Sequence, residues 1–172
     1  MLVHLRGGLG AGGYALLRRS NATLHGRFLS WPDPPAPAPG PVRLAGGTRQ
    51  CSTPVDPTRL TTHRAFALLA QLRLPPGTCR SVRLDGTGGL ATYLTAPDGS
   101  WAEIAHRVGP RGVHDVRTSP SDVLIPALCA AWAEAAGLGH PLISQFGVTV
   151  RPGGTRIWHR DPVHGVVGGG GG

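Results

Sequence analysis

Gly8-Leu-Gly10-Ala-Gly-Gly13 has the form G-x-G-x-x-G and directly follows the strand-like Leu2–Leu5. Glycines at that spacing let backbone amides approach a pyrophosphate at a helix N-terminus. The surroundings do not supply the rest of such a site. A helix opening near Gly13 would be broken within two turns by Arg18-Arg19-Ser-Asn-Ala-Thr23. The acid that should hold a ribose about twenty residues on could only be Asp33, which lies between prolines. The glycines read instead as a hairpin loop.

The other reactive side chains are equally scattered. His4, His25, His63, His106, His114, His140, His159 and His164 never fall into H-x-x-x-H or H-E-x-x-H. His114-Asp115 and His159-Arg-Asp161 set imidazole beside carboxylate, a pairing that tunes a base. Neighbours in a strand point to opposite faces, so these read as exposed polar residues at strand ends. Cys51, Cys79 and Cys129 are three, far apart and without a C-x-x-C pair, which argues against a disulfide framework and against zinc. Unpaired thiols suit a cytoplasmic protein. Asn21-Ala-Thr23 matches a glycosylation acceptor but reads as a hairpin turn. No residue is assigned a catalytic, cofactor-binding or metal-binding role.

Composition bounds what could position any site. Glycine and proline number 27 and 17 in 172 residues, at the edge of the range where disorder sets in. With aromatics at 5%, a core must rest on Leu, Val and Ala, which concentrate in 56–162. The formal charge is +8 and every one of the 17 cations is arginine. Residues 1–31 carry Arg6, Arg18, Arg19 and Arg27 and no acid. A nucleic-acid site usually shows as a clustered stripe. Only Arg18-Arg19 and the Arg151, Arg156, Arg160 group approach one. No run reaches the length of a membrane span.

Leu2–Leu5, Tyr14–Arg18 and Thr23–Phe28 read as strands, with a turn at Ser20-Asn21. The prolines of 32–41 deny a ladder its amide donors, so 32–55 reads as a linker. Asp56-Pro57 reads as a helix start, with Ala65, Leu68, Leu69 and Leu72 on one face and Pro75-Pro76-Gly77 ending it. Ser81–Leu84, Leu90–Thr95, Trp101–His106 and Val113–Arg117 follow as strands. Ser119-Pro120-Ser121-Asp122 reads as a second helix start, with Ile125, Leu128, Trp132 and Ala135 on one stripe and Pro126 as the misfit. Trp101, Trp132 and Trp158 are core anchors on this reading, Trp132 and Trp158 packing together. An aromatic peptide-binding surface is their alternative role. Gly168–Gly172 has no reason to order.

Several of these segments resemble the C-terminal part of actinobacterial protein-L-isoaspartate O-methyltransferase-like proteins, including members associated with peptide natural products. The resemblance rests on Phe146-Gly-Val-Thr-Val with Ile157-Trp158, on Trp132 in its helix and on Leu72-Arg-Leu-Pro75. The Asp98-Gly-Ser-Trp101 turn and, in the N-terminal strands, Leu2–Arg6 and Gly26-Arg27 complete it. It implies an α+β chain: 1–31 a remnant hairpin from the end of a Rossmann-like methyltransferase sheet, 32–55 a linker, 56–162 a small two-helix, mostly antiparallel accessory module, 163–172 a disordered tail. It implies membership of an S-adenosylmethionine-dependent protein or peptide carboxyl O-methyltransferase. Because the family's methyl-donor motif and catalytic serine lie upstream of anything here, this part would position a protein or peptide substrate, or join a separate core, without binding the cofactor. The alternative is a stand-alone basic module for an acidic peptide or, less favoured, nucleic acid; a third is a small nucleotide-binding protein using Gly8–Gly13.

Overall fold

A computed structural model describes residues 2–5, 9, 13–29 and 47–162. Gly8, Gly10, Asp33, most of the Pro-rich segment and the glycine tail lie outside the described residues. The chain begins with β1 (Leu2–Leu5), β2 (Gly13–Ser20), β3 (Thr23–Leu29) and β4 (Arg49–Thr53). Then come α1 (Arg59–Thr62), α2 (Arg64–Arg73), β5 (Cys79–Leu84), β6 (Leu90–Thr95), β7 (Trp101–Val108) and β8 (His114–Thr118). It closes with α3 (Leu124–Gly137), a 3-10 turn at Ile143–Gln145, β9 (Phe146–Arg151) and β10 (Gly154–His159). The protein is α+β, with every strand pair antiparallel.

Two five-stranded sheets form, in the orders β1-β2-β3-β9-β10 and β4-β8-β7-β6-β5. The first joins the two ends of the described chain. β3 pairs with β9 through Leu24↔Val150, His25↔Thr149, Gly26↔Val148 and Arg27↔Gly147. The N-terminal strands therefore do not stand apart from the 56–162 segment, because the C-terminal hairpin completes their sheet. The 32–55 linker also ends early, since Arg49–Thr53 is β4, paired along β8. Ser52 and Cys51 can ladder there because the prolines stop short of them.

Local chemistry explains where the helices differ from expectation. Asp56 Oδ1 accepts from the Thr58 amide at 2.9 Å and its hydroxyl at 2.7 Å, an Asx turn that delays the helix. α1 then breaks at His63, whose Nδ1 accepts from the Phe66 amide and caps α2. Six successive residues of α2, Ala65–Ala70, are buried, so it is enclosed on all sides and not one-faced. α3 begins at Leu124, after a turn in which the Asp122 amide donates to the Ser119 carbonyl. That late start puts Pro126 in the first helical turn, where its missing amide hydrogen has no intrahelical partner to lose.

One cluster unites both sheets with the helices: Ala15, Leu17, Phe28, Phe146, Val148 and Ile157 of the first sheet, Leu94, Ile104 and Val116 of the second, and Phe66, Leu69, Leu124 and Leu128 between them in sequence. The inner face of the first sheet is thus committed to the core.

Candidate anion-binding face

No strand of the first sheet contains an aspartate or glutamate, while the five carry Arg18, Arg19, Arg27, Arg151 and Arg156. Strand alternation assigns these residues to faces. Ala15, Leu17, Phe28, Val148 and Ile157 point to the core, so Leu16, Arg18, His25, Arg27, Thr149, Arg151, Arg156 and Trp158 share the opposite side. The register lines them up in two cross-strand rows, Leu16–Arg27–Gly147–Trp158 and Arg18–His25–Thr149–Arg156. Neighbouring strands lie about 4.8 Å apart, so each row is roughly 15 Å long. Arg18, Arg27, Arg151 and Arg156 are all exposed.

The middle of the face is closely packed. The Trp158 indole lies against Gly147, at a position where any Cβ would collide with the ring. The Arg27 guanidinium covers it at 5.5 Å, within cation–π range. Trp158 Nε1 donates to Thr149 Oγ1 at 3.1 Å, and that hydroxyl is also 3.0 Å from His25 Nδ1. Arg27 Nη2 donates in turn to the Arg160 carbonyl at 3.3 Å. Trp158 is only 4% exposed, so it serves as the floor of the face and not as a contact ring.

Three arginines beyond this sheet meet acids: Arg73 Nη2 is 3.0 Å from Glu134 Oε2, Arg117 is 3.5 Å from Glu103, and Arg49 is 3.6 Å from Asp122. Among the described residues no carboxylate pairs with Arg18, Arg27, Arg151 or Arg156. Four exposed guanidiniums therefore share one face of a sheet whose strands carry no aspartate or glutamate, an arrangement that attracts anions.

The residues singled out by sequence fall elsewhere. β1 and β2 are antiparallel neighbours, Leu5 opposite Gly13, while Gly8 and Gly10–Gly12 lie outside the described residues. Gly13 opens a strand and not the helix that a phosphate loop needs. His114 is buried and its Nδ1 lies 2.9 Å from the Ala105 carbonyl, while Asp115 is exposed on the other side. This corrects its reading as a solvent-exposed residue. His159 packs inward against Phe146, ring centroids 5.1 Å apart. Trp132 and Trp158 take separate partners. Trp132 meets Phe66 edge-on at 5.2 Å, His140 at 4.9 Å and the Arg59 guanidinium at 4.8 Å. The short α3–β9 connection made them seem neighbours, but strand parity turns Trp158 away from the helices. Trp101 is fully buried, as a core anchor.

Cys51, Cys79 and Cys129 are free thiols, and Cys129 Sγ lies 3.4 Å from Thr53 Oγ1. No three His, Cys, Asp or Glu gather to hold a metal ion among the described residues, and none of the described helices is long and apolar enough to cross a membrane.

Three imidazoles carry a stability consequence. Burial, as the leading cause in each, holds His63, His106 and His159 below the ordinary histidine value. Below the unfolded pKa of about 6.5, the unfolded chain takes up protons that the native rings resist. Stability is therefore full above that pH and falls as the pH drops through the lower folded values. Thermal melts between about pH 7.5 and about pH 5.5 should show a steady fall in Tm toward acid; a rise over that window would contradict the burial of these rings. For His63 protonation also removes the acceptor that caps α2.

No family model, curated protein or solved structure matches the chain.

Proposed function

We propose that the protein is a binding module that holds an acidic stretch of a peptide or protein on the arginine face of its first sheet. The observation carrying this is the distribution of charge: Arg49, Arg73 and Arg117 each lie 3.0–3.6 Å from an acid, whereas the strands of the face carry four exposed arginines and no aspartate or glutamate. Nucleic acid is the weaker partner on this surface. Sheet platforms for single strands stack bases on exposed aromatic rings, and here the tryptophan is committed beneath Arg27.

A more particular assignment is supported by the resemblance to isoaspartate methyltransferase-like proteins. Phe146–Trp158, the most specific part of that resemblance, lies beside the strand holding Gly26-Arg27, its weaker N-terminal part. A carboxyl methyltransferase acts on carboxylates, and a surface that gathers them is what its substrate-positioning part requires. On this reading S-adenosylmethionine is held by a separate core, and the chain works in the cytoplasm, in keeping with its free thiols.

Titration of a fluorescent acidic peptide into the full chain tests the proposal. Each exposed charge contact is worth up to about 1 kcal/mol, and reversal turns attraction into repulsion. Arg18→Glu/Arg156→Glu, which leaves the Arg27–Trp158 contact intact, should weaken binding about tenfold or more. The same reversal at exposed Arg107 on β7 should leave it near the parental value. Equal loss from both variants would show a response to net charge alone. Preference for a single-stranded oligonucleotide would reassign the face to nucleic acid, and micromolar binding of S-adenosylmethionine would defeat the accessory reading.

A further inference from the structure

β10 ends the first sheet. Its six residues pair with β9 in unbroken register, Gly154↔Arg151 to His159↔Phe146, and among the described residues no strand lies on its other side. In an antiparallel ladder every second residue turns its N–H and C=O to the far edge. Edges of this kind are normally shielded by a bulge, a proline or a covering element. β10 has no proline or bulge, and Gly154, Thr155 and Arg156 are exposed. Ile157 and Trp158 are buried and His159 is half-buried, its carbonyl accepting from the Asp161 amide at 2.7 Å, so the exposed part of the edge is its first half, Gly154–Arg156.

From this geometry we infer that the acidic partner binds as an added strand on β10. The inference rests on the reading of the arginine face as an acidic-peptide site. An added strand continues the sheet, and alternate side chains fall on the same side as Arg18, His25, Thr149 and Arg156. The partner is then an extended segment with acidic side chains at every second position, about 7 Å apart. Main-chain bonds supply affinity, and the alternating side chains supply selectivity. A second copy of β10 is a poor occupant, because antiparallel self-pairing sets arginine-bearing strands side by side. The other sheet edges fit less well. β1 carries no arginine. On β5, Arg80 Nη1 donates to the Thr61 hydroxyl, and on β4, Arg49 is bridged to Asp122.

Octapeptides of one composition separate strand addition from simple charge attraction. An alternating Glu–Thr octapeptide should bind the full chain about tenfold more tightly than its isomer with four glutamates followed by four threonines. N-methylation of the alternating peptide should abolish binding at residues of one parity and be tolerated at the other, because only one set of amides faces β10. Equal affinity for the two isomers with tolerance at both parities would overturn strand addition while leaving the acidic face in place. Failure of either octapeptide to bind would remove the face reading itself. Concentration-dependent dimerisation abolished by N-methylated peptide of the β10 sequence would make a second copy the occupant and overturn the inference.

Discussion

Trp158→Ala is expected to lower the stability of the protein by about 3–5 kcal/mol, a large share of the total for a domain of this size. The indole is 4% exposed, yet it does not belong to the core cluster between sheets and helices. Among its contacts are the close approach to Gly147, the Arg27 guanidinium over the ring and the bond to Thr149. Truncation removes all three at once and exposes the backbone of β9. Trp158→Phe retains most of the apolar contact but loses the indole donor, so it should be milder by several kcal/mol, with about 1 kcal/mol due to the hydrogen bond. Denaturant unfolding of the two variants beside the parent measures both effects. If Trp158→Ala melts with the parent and only peptide binding falls, the ring is a ligand contact and not the floor of the face. If stability and binding fall together, Trp158 works by holding Arg27 and Thr149 in place.

How legible this was in the sequence depends on the range of the interactions. Hairpins with local chemistry were readable, because Asn21 and Asp98-Gly99 specify turns whose residues are adjacent. The strands around them matched to within a few residues. Helix starts were less so: Asp56 bonds to Thr58 and Ser119-Pro120-Ser121-Asp122 closes a turn, and both motifs serve a loop just as well as a cap. Least readable was the arginine face. Arg18 and Arg156 are far apart in the chain and share one cross-strand row only because β3 chooses β9 as its neighbour, a pairing that no local pattern dictates. One signal was available. The chain has no acid before Asp33 and none between Glu134 and Asp161, and two acid-free strand segments of that kind fit beside each other. Counting clusters along the chain missed it, since a cross-strand row gathers charge perpendicular to the sequence. The same parity misplaced Trp158: the residue was correctly read as buried, but on the wrong side of its sheet.

Gly26→Ala is the companion test, because it strikes the junction on which the whole face depends. Gly26 sits in β3 opposite Leu17 of β2 and Val148 of β9, the one strand that ties the N-terminal hairpin to the C-terminal one. A Cβ added there would fall on the carbonyl oxygen of Leu16 and against the Leu17 side chain. The side chain could move, but the carbonyl belongs to a strand fixed on both sides, so the clash must part β2 from β3. Overpacking of this kind costs about 1–3 kcal/mol and more where backbone has to shift, and about 3 kcal/mol or more is expected here. Gly153→Ala is the control. It lies in the exposed Pro152-Gly153 turn with nothing within 4 Å of the new methyl group, and should stay within about 0.5 kcal/mol of the parent. The comparison is read from denaturant midpoints, and peptide affinity adds a second axis. Loosening β2 moves Arg18 away from Arg156, so Gly26→Ala should weaken acidic-peptide binding even at temperatures where the chain remains folded, whereas Gly153→Ala should not. A Gly26→Ala protein as stable as the parent would mean that β2 and β3 do not approach as closely as the sheet requires, and the arginine rows would lose their basis with it.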